Sequence, residues 1–437
     1  MSRGQLRPIG RRVSFAFAMA CMAMPACAWG TDDSTDGATD NSNMGHTDVS
    51  TDAIQTTDGV SATESAALEL DLNADVTLRI GNGTDVDWSV AIVESTMKRF
   101  TPSQLGGWGY TQGLYLWGQY LVYQRTHEPR YLSYIRSWAD RFVDSNGHID
   151  HSFNNLDSME SGNVLLALYA ETKQIKYKTA ATQIRNRLKT YPRTQDGGFW
   201  HATSRQHQLW SDGVFMVNPF LARYGKSIGE AAYANDEVTK QLLVYANHLQ
   251  VQNGLLKHAY DESRTQSWAD PETGRSAEHW CRAIGWYGMA TIDVLEILPL
   301  THPNRAKLLS VLEKLVAGFK TYQDPATGRW FQVVDKGNLS DNWTETSCSA
   351  MYTYTISRAV ERGYIDPSYR TVSTKGYQGV LARVSNGSDG LTNVSEICIG
   401  TNVGDLAFYL ARPRKMNDLH GLGAVLIMNE QLARTGG

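Results

Sequence analysis

Two aspartates in the sequence each stand just before an apolar run with helical spacing. Asp157 precedes the apolar positions of 164–169, and Asp212 precedes those of 214–221. An aspartate in this position commonly caps the following helix, and Glu160, three residues after Asp157, completes the pattern of a capping box. Alternatively, two carboxyl groups whose pKa values differ can serve as the acid and the base of one active site. Asp157 and Asp212 are therefore candidate catalytic residues, with helix capping as the competing interpretation.

Large apolar side chains surround Asp212 in the sequence, namely Trp210, Phe215 and Met216. Burial among such side chains raises the pKa of a carboxyl group, and so does a second carboxylate close by. The N-terminal end of the following helix acts in the opposite direction, because it favours the anion. With Asp157 as the second carboxylate, we expect the pKa of Asp212 to be raised.

Aromatic and basic side chains that suit a sugar follow later in the chain. Trp280, Trp286 and Tyr287 offer flat faces on which a sugar ring can stack. Arg282 carries a guanidinium fork that can hold a carboxylate through two hydrogen bonds. The alternative is that these rings pack in the core while Arg282 forms an internal ion pair. Arg205 poses the same choice between a binding role and a plain surface charge.

A spacing of glycine and histidine recurs along the chain at intervals of 50, 57 and 74 residues. The copies are Gly147-x-x-x-His151, Gly197-x-x-x-His201, Gly254-x-x-x-His258 and Gly328-x-x-x-Gln332, in which glutamine replaces histidine. Each interval accommodates one helical hairpin and a loop, and repeated hairpins stack so that each buries one face. We therefore expect equivalent loops at one mouth of the fold, which would bring His151, His201 and His258 together. Alternatively, each histidine only bonds the backbone of its own loop.

Apolar residues three and four positions apart predict about twelve helices. The predicted ranges are roughly 88–100, 110–126, 129–144, 158–171, 175–190, 213–224, 231–251, 279–297, 303–322, 345–362, 367–383 and 419–434. Strand-like runs are short and lie between helices. Six hairpins that close on themselves would form an all-α (α/α)6 toroid with short loop strands at one mouth, a single domain over residues 81–437. An open helical solenoid is the alternative, because periodicity does not report closure.

The composition describes a globular protein rather than a polyanion binder. Hydrophobic residues make up 42% of the 437 residues and charged residues 20%, and the formal net charge is −4. This balance argues against a strongly basic nucleic-acid-binding protein. Residues 67–437 are neutral overall, and the chain contains 12 Trp and 21 Tyr. Such a body suits a polar, ring-shaped ligand.

The first eighty residues differ from the rest of the chain. Arg11 and Arg12 precede an apolar run over 13–24, which is too short to span a bilayer and ends before Ala26-x-Ala28. This is the pattern of an export signal over residues 1–28, and the residues before Cys27 fit a lipoprotein box poorly. Residues 29–80 are acidic and rich in Ser, Thr and Asp, which predicts a disordered spacer. We therefore expect an exported protein, periplasmic or secreted.

Three cysteines remain after the predicted signal, namely Cys281, Cys348 and Cys398. Three thiols do not make a disulfide framework, and their spacing matches no zinc site. We expect all three to be small buried residues. The sequence also lacks a phosphate loop and a dinucleotide-binding fingerprint.

The order of these motifs resembles the unsaturated rhamnogalacturonyl hydrolases, glycoside hydrolase family 105. The matching segments include Tyr110-Thr-Gln-Gly, Leu156-Asp157, Gly197-Gly-Phe-Trp-His201, Trp210-Ser-Asp212-Gly, Gly254-Leu-Leu-Lys-His258, Trp268-Ala-Asp270, Arg282-Ala-Ile-Gly-Trp286, Cys398-Ile-Gly-Thr and Asn417-Asp-Leu-His420. The resemblance covers about residues 85–434 and leaves out the predicted signal and the predicted spacer.

The resemblance implies an (α/α)6 barrel that needs no metal and no cofactor. Its substrates would be oligosaccharides left by polysaccharide lyases, with a C4=C5 double bond in the uronic acid at the non-reducing end. Asp212 would protonate C4, water would add at C5, and the hemiketal would open and release the remaining sugar chain. Asp157 would hold a sugar hydroxyl and keep Asp212 protonated. The other site residues that the resemblance implies are Gly109, Tyr110, His201, Arg205, Trp210, His258, Trp280, Arg282 and Trp286.

The expected function is the release of a 4,5-unsaturated galacturonic acid from rhamnogalacturonan oligosaccharides made by pectin lyases. One alternative is an unsaturated glucuronyl hydrolase that acts on other lyase products. Another is a sugar-binding toroid without catalytic activity. The expected partner is an oligosaccharide, without nucleic acid or a stable membrane span, and the protein would be a monomer or a weak oligomer.

Overall fold

The computed structural model describes residues 86–435. The predicted signal over 1–28 and the predicted spacer over 29–80 lie outside these residues and remain predictions. Within the described part of the chain, every helix is too short or too polar to cross a lipid bilayer.

Helices make up most of the described chain, and all twelve predicted helices are present. The α-helices are α1 (Trp88–Arg99), α2 (Tyr110–Thr126), α3 (Pro129–Ala139), α4 (Gly162–Thr172), α5 (Ile175–Lys189), α6 (Gly213–Ser227), α7 (Ala231–Leu249), α8 (Cys281–Ile297), α9 (Arg305–Tyr322), α10 (Thr346–Glu361), α11 (Arg370–Leu381), α12 (Leu406–Leu410) and α13 (Leu419–Thr435). Two short 3-10 helices cover Asp157–Met159 and Pro367–Tyr369. The short helix α12 was not predicted, and α3 ends at Ala139 rather than at residue 144.

Six helices form a closed inner ring. Helices α2, α4, α6, α8, α10 and α13 each pack against the next, and α13 returns to pack against α2. Helices α1, α3, α5, α7, α9 and α11 pack outside this ring. The contact between α13 and α2 closes the ring, which confirms the predicted (α/α)6 toroid and excludes the open solenoid.

Glycines allow the two helices of this closing contact to approach closely. A Cβ atom at Gly423 of α13 would lie 2.5 Å from Cγ and 2.9 Å from the backbone carbon of Leu114 in α2. A Cβ atom at Gly118 of α2 would lie 2.8 Å from Cβ of Leu426. The contact between α2 and α13, which we call the seam of the ring, therefore depends on glycines, which have no side chain.

The repeated glycines share one backbone conformation. Gly147, Gly197, Gly254 and Gly328 have φ angles of +84°, +92°, +85° and +72°. This left-handed region favours glycine, because a Cβ atom is strained there. A Cβ atom at Gly254 would also lie 2.1 Å from the carbonyl oxygen of Lys314 in the next outer helix, α9. The sequence repeat is thus a structural repeat of turns pressed against outer helices.

Within residues 86–435, eight short strands form four antiparallel pairs, in agreement with the predicted short loop strands. The pairs are β1 (Gln208–Trp210) with β2 (Ala259–Asp261), β3 (Trp330–Phe331) with β4 (Thr344–Glu345), β5 (Val384–Asn386) with β6 (Thr392–Val394), and β7 (Ile397–Cys398) with β8 (Arg414–Lys415). Every strand lies in a connection that leads from an outer helix to the next inner helix. These connections therefore meet at the same end of the toroid, which we call the strand mouth.

Two of the three cysteines differ from the prediction. Cys281 and Cys348 form a disulfide between the first turns of α8 and α10, whereas Cys398 is free and buried. The expectation of three separate buried thiols was therefore wrong for this pair. Their sequence separation of 67 hid the pairing, because only the adjacency of two inner helices brings the sulfur atoms together.

Candidate active site

Both candidate aspartates lie in connections at the strand mouth. Asp157 is the first residue of the 3-10 turn before α4, and Asp212 directly precedes α6. The side chain of Asp212 makes no hydrogen bond to the N–H groups of α6, and the residue before α4 is Ser161 rather than Asp157. Glu160 does not complete a capping box either, because its side chain bonds Asn163. The structure therefore contradicts the interpretation that these side chains cap helices. Both carboxyl groups can instead contact a ligand or take part in catalysis.

Two of the three repeated histidines face these aspartates. Nε2 of His201 lies 3.9 Å from Oδ2 of Asp157, and Nε2 of His258 lies 3.6 Å from Oδ2 of Asp212. His151 instead accepts a hydrogen bond from the backbone N–H of Phe153 at 2.9 Å. His201 and His258 therefore lie near the aspartates, as predicted. The hydrogen bond from Phe153 to His151 is instead a bond to the backbone of its own loop, which the alternative interpretation expected.

Aromatic rings form a continuous wall beside the two histidines. The ring of His201 stacks on Trp210 with the centroids 4.3 Å apart and the planes 8° apart. Trp210 contacts the ring of His258 at 5.6 Å, and His258 in turn contacts Trp280 at 4.6 Å. Trp286 is also buried, packs on Phe215 at 4.7 Å and contacts the ring of Tyr110 at 6.4 Å. Trp210 and Trp280 therefore contact the histidines, whereas Trp286 contacts Tyr110.

Several buried polar atoms at this wall have no hydrogen-bond partner among the described residues. They are Oδ1 of Asp212, Nδ1 of His201, Nε2 of His258 and Nε1 of Trp280. Buried polar groups are normally paired, and an unpaired one costs about 1–3 kcal/mol. Such a cluster in one place indicates a site that receives a polar ligand.

The pKa of Asp157 is raised to about 7. The main cause is burial, the negative charge of Asp212 adds to it, and the positive charge of Arg205 opposes it. Burial also lowers the pKa of His201 to about 4, so this ring is neutral at neutral pH. The pKa of Asp157 therefore lies near neutral pH.

The pKa of Asp212 is shifted in the direction opposite to the prediction. Burial raises this pKa, but the positive charge of a protonated His258, whose ring lies 3.6 Å away, and the charge of His201 lower it below its ordinary value. The prediction considered the apolar neighbours of Asp212 and the charge of Asp157, but not His258, which follows 46 positions after Asp212. The pKa of Asp157 is therefore raised while that of Asp212 is lowered.

The two candidate arginines have different surroundings. Arg282 is buried, and its guanidinium donates to the carbonyl oxygens of Cys398 and Ile399. Arg205 is half-buried over the ring of Trp210 at 4.3 Å, and within the described part of the chain its side chain makes one hydrogen bond, to the exposed Asn402 at 3.3 Å. The charge of Arg205 also acts on Asp157 and Asp212, so it is the cation more open to a ligand at the aspartates.

The start of α2 completes one side of the site. The carbonyl oxygen of Gly109 accepts a hydrogen bond from Oγ of Ser161 at 2.9 Å, which ties this loop to α4. The hydroxyl of Tyr110 lies 2.7 Å from Nε2 of His420, whose Nδ1 contacts Asp418 at 2.5 Å. Asp157, Arg282 and Asp212 all act electrostatically on Tyr110, so the predicted Gly109 and Tyr110 lie at the same place as the aspartates.

Two side chains of the site were missed by sequence reasoning. His420 contacts Tyr110, and Tyr409 contacts His258, with 2.6 Å between its hydroxyl and Nδ1 of the ring. The segment Asn417-Asp-Leu-His420 was recognised as part of the resemblance, and this signal could have singled out His420. No comparable signal marked Tyr409, which lies in the unpredicted helix α12.

One matching segment lies away from the aspartates. Trp268 and Asp270 line an open cavity of about 430 Å³ together with Lys257 and Arg275. The lining of this cavity includes neither candidate aspartate. Trp268-Ala-Asp270 therefore lies outside the set of residues that surrounds Asp157 and Asp212.

Comparison with known proteins identifies the class to which this toroid and its site belong. The family model described as Glycosyl Hydrolase Family 88 matches residues 88–435. A glycoside hydrolase of family 105 from C. acetobutylicum is 33% identical, with a TM-score of 0.76 over 79% of this chain and 99% of its own. The protein Atu3128 of Agrobacterium fabrum is 31% identical over 226 residues, which are 48% of this chain and 96% of that protein.

More distant structures share the fold alone. The unsaturated glucuronyl hydrolase of Bacillus sp. GL1 is 13% identical, with a TM-score of 0.57 over 79% of this chain and 94% of its own. The helical toroid is thus that of glycoside hydrolases, enzymes that act here on an oligosaccharide substrate. Within this class, the chain belongs to glycoside hydrolase family 105, which confirms the resemblance seen in the sequence.

Proposed function

We propose that this hydrolase removes a 4,5-unsaturated galacturonic acid from the non-reducing end of rhamnogalacturonan oligosaccharides made by pectin lyases. The observation that carries the proposal is the cluster of buried, unpartnered polar atoms of Asp212, His258 and Trp280 beside a second carboxyl group, Asp157. Membership of family 105 supports the same substrate class.

The proposed reaction hydrates the double bond and never attacks the glycosidic bond directly. Asp212 transfers its proton to C4, the π electrons form the new C–H bond, and the positive charge left on C5 is shared by the ring oxygen. Water then attacks C5 and gives a proton to the Asp212 carboxylate, which restores the acid. The hemiketal at C5 opens, and the remaining sugar chain leaves C1 as an alcohol. The net change is the addition of water.

Asp212 must be protonated at the start of this reaction. A bound uronate brings a further negative charge to the two aspartates, and a like charge raises the pKa of a carboxyl group. Asp157 acts in the same direction whenever it is ionised, while it holds a sugar hydroxyl. Substrate binding therefore favours the protonated form of Asp212 that the proton transfer needs.

The substrate carboxylate requires a cation close to the aspartates. Arg205 meets this requirement, because its guanidinium lies over Trp210 and, among the described residues, its side chain makes one hydrogen bond, to Asn402. A guanidinium can bind a carboxylate through two parallel hydrogen bonds. Trp280 offers the N–H of its unpartnered Nε1 to the sugar.

The test is the ultraviolet absorbance of defined unsaturated disaccharides incubated with the protein. Hydration destroys the conjugated double bond, so we expect absorbance to fall with the galacturonyl substrate. A fall with glucuronyl ends alone would move the assignment to an unsaturated glucuronyl hydrolase. Unchanged absorbance with every disaccharide, together with a shift in tryptophan fluorescence, would show a sugar-binding toroid and contradict the proposal.

The first prediction concerns Asp212→Asn. Loss of a general acid lowers turnover by about 100-fold or more. Binding of the substrate, followed by tryptophan fluorescence, should remain nearly unchanged, because the amide keeps the size of the carboxyl group. Asp150→Asn, at an exposed position, serves as the control and should keep full activity. Full turnover by Asp212→Asn would remove Asp212 from the acid role.

We also propose that the chain is exported, on the basis of the predicted signal over 1–28 and the spacer over 29–80. Cleavage after Ala28 would leave Trp29 as the first residue of the mature protein. N-terminal sequencing of protein recovered outside the cytoplasm should read from Trp29. Intact protein that starts at Met1 and remains in the cytoplasm would contradict this proposal.

A further inference from the structure

A short chain of hydrogen bonds reaches the active site from behind His258. The backbone N–H of Gly404 donates to the hydroxyl oxygen of Tyr409 at 3.2 Å, and this hydroxyl lies 2.6 Å from Nδ1 of His258. His258 is fully buried and Tyr409 equally so. The opposite ring nitrogen, Nε2, lies 3.6 Å from Oδ2 of Asp212. Tyr409 thus contacts Asp212 only through the imidazole ring.

The bond from Gly404 restricts the direction in which the hydroxyl can donate. The oxygen of Tyr409 already accepts one hydrogen bond, and its partners among the described residues are Gly404 and His258 alone. If Nδ1 carried a proton, the hydroxyl hydrogen would be buried without an acceptor, which is unfavourable. The contact is therefore satisfied when the hydroxyl donates to a bare Nδ1. The ring then carries its proton on Nε2.

We propose that Tyr409 is a positioning residue that holds His258 as a neutral ring with its proton on Nε2, directed at Asp212. The proposal explains why a buried tyrosine hydroxyl and a backbone N–H are aligned behind the ring. It also gives a role to the two unpartnered atoms in front of it, Nε2 of His258 and Oδ1 of Asp212. An N–H at Nε2 can donate to the carboxyl group or to a bound sugar oxygen.

This arrangement has a consequence for the acid role of Asp212, which rests on the proposed function. A protonated His258 lowers the pKa of Asp212, whereas burial raises it. His201 adds little positive charge at neutral pH, because burial lowers its pKa to about 4. A neutral His258 removes the lowering by its positive charge, so burial is opposed mainly by the N–H of the ring, and the protonated form of Asp212 is more favoured than beside a charged ring. The other titratable or charged groups that act on Asp212 or are acted on by it are Asp157, Arg205, Tyr110, Tyr245 and Tyr409.

The protonation of the ring can be measured without any substrate. Protein labelled with ¹⁵N in its histidines reports which nitrogens carry a proton, and loss of signals in His258→Gln assigns the ring. At neutral pH we expect wild-type His258 to show a bare Nδ1 and a protonated Nε2. In Tyr409→Phe, we expect mixed tautomers or a doubly protonated ring. A wild-type ring with a proton on Nδ1, or spectra unchanged by Tyr409→Phe, would overturn the proposal.

The pH profile tests the catalytic consequence. A general acid works below its pKa, so activity falls as the pH rises through that value. In Tyr409→Phe, His258 is free to become protonated and lower the pKa of Asp212, so the alkaline limb of kcat/KM should move to lower pH by about one unit, which corresponds to a tenfold loss above the limb. As the control, Tyr134→Phe removes a buried hydroxyl that donates to the carbonyl oxygen of Phe100, and this change should leave the limb in place.

A double substitution separates positioning from simple support of the loop. If Tyr409 acts through His258, Tyr409→Phe should have no further effect on the pH limb in a His258→Gln background. An equal loss in both backgrounds would overturn the positioning role. If wild-type protein bleaches no substrate, the proposed function fails, while the ring spectra still decide the role of Tyr409.

Discussion

At the scale of the residue, the two arginines near the aspartates have separable roles. We predict that Arg205→Ala raises KM about tenfold with little change in kcat, because a cation that binds the uronate carboxylate is lost, at about 1.5–3 kcal/mol for a charged hydrogen bond. Steady-state kinetics on the galacturonyl disaccharide measures this. Arg264→Ala, which removes an exposed arginine, is the matched control.

The buried Arg282 should behave differently from Arg205. Arg282→Ala leaves the carbonyl oxygens of Cys398 and Ile399 without their donors, so its main effect should appear in the free energy of unfolding rather than in KM alone. If Arg205→Ala leaves KM unchanged while Arg282→Ala raises it in a stably folded protein, the carboxylate contact belongs to Arg282.

The sequence alone identified most residues of the site, but it did not give the direction of every pKa shift. Asp157, Asp212, His201 and His258 could be predicted, because the motifs around them repeat and match a family. The lowered pKa of Asp212 could not, because it depends on a ring brought close by the pairing of β1 with β2. Local sequence context reports burial well, whereas electrostatic partners come from distant segments.

At the scale of the element, periodicity predicted the long helices well and the short one not at all. Helix α12 has five residues, Leu406–Leu410, which is too short for a pattern with a period of 3.6 residues to be recognised. The end of α3 was placed too late, because the apolar Phe142 and Val143 continue the pattern after the helix has ended in a turn. Side chains that depend on such short elements, above all Tyr409, are therefore found only in the structure.

The start of helix α4 contains a carboxyl group whose burial should affect stability. Glu160 is 1% exposed, and its pKa is raised from 4.5 to about 8, mainly by burial and against the opposing charge of Arg223. The folded state therefore holds this proton more tightly than the unfolded chain does. Its contribution to stability is complete below pH 4.5 and declines as the pH rises from 4.5 to about 8.

We predict that Glu160→Gln removes this decline. The free energy of unfolding, measured by urea at several pH values, should exceed that of the wild type by on the order of 2 kcal/mol at about pH 9, with a smaller difference or none near pH 4. Glu313→Gln, in the outer helix α9 at an exposed position, should change neither value. A constant difference across the whole pH range would contradict a titration of Glu160.

At the scale of the whole molecule, closure of the ring depends on the contact between α2 and α13. We predict that Gly423→Ala lowers the free energy of unfolding by about 1–3 kcal/mol, because the new methyl group would overlap Leu114. Gly107→Ala adds the same methyl group at an exposed position with no atom within 4 Å and should be neutral. Thermal or urea unfolding of both variants measures the difference. Equal free energies of unfolding would show that α2 and α13 can move apart to accept the methyl group at little cost.

The disulfide between Cys281 and Cys348 bears on how the protein matures as well as on its structure. Such links persist in oxidising surroundings and are rare where glutathione keeps thiols reduced. If the chain is exported as proposed, its thiols would be oxidised after it leaves the cytosol, in a step that joins two neighbouring inner helices. Production of the enzyme in a cell would then depend on the capacity of its oxidative folding machinery as well as on the synthesis of the chain.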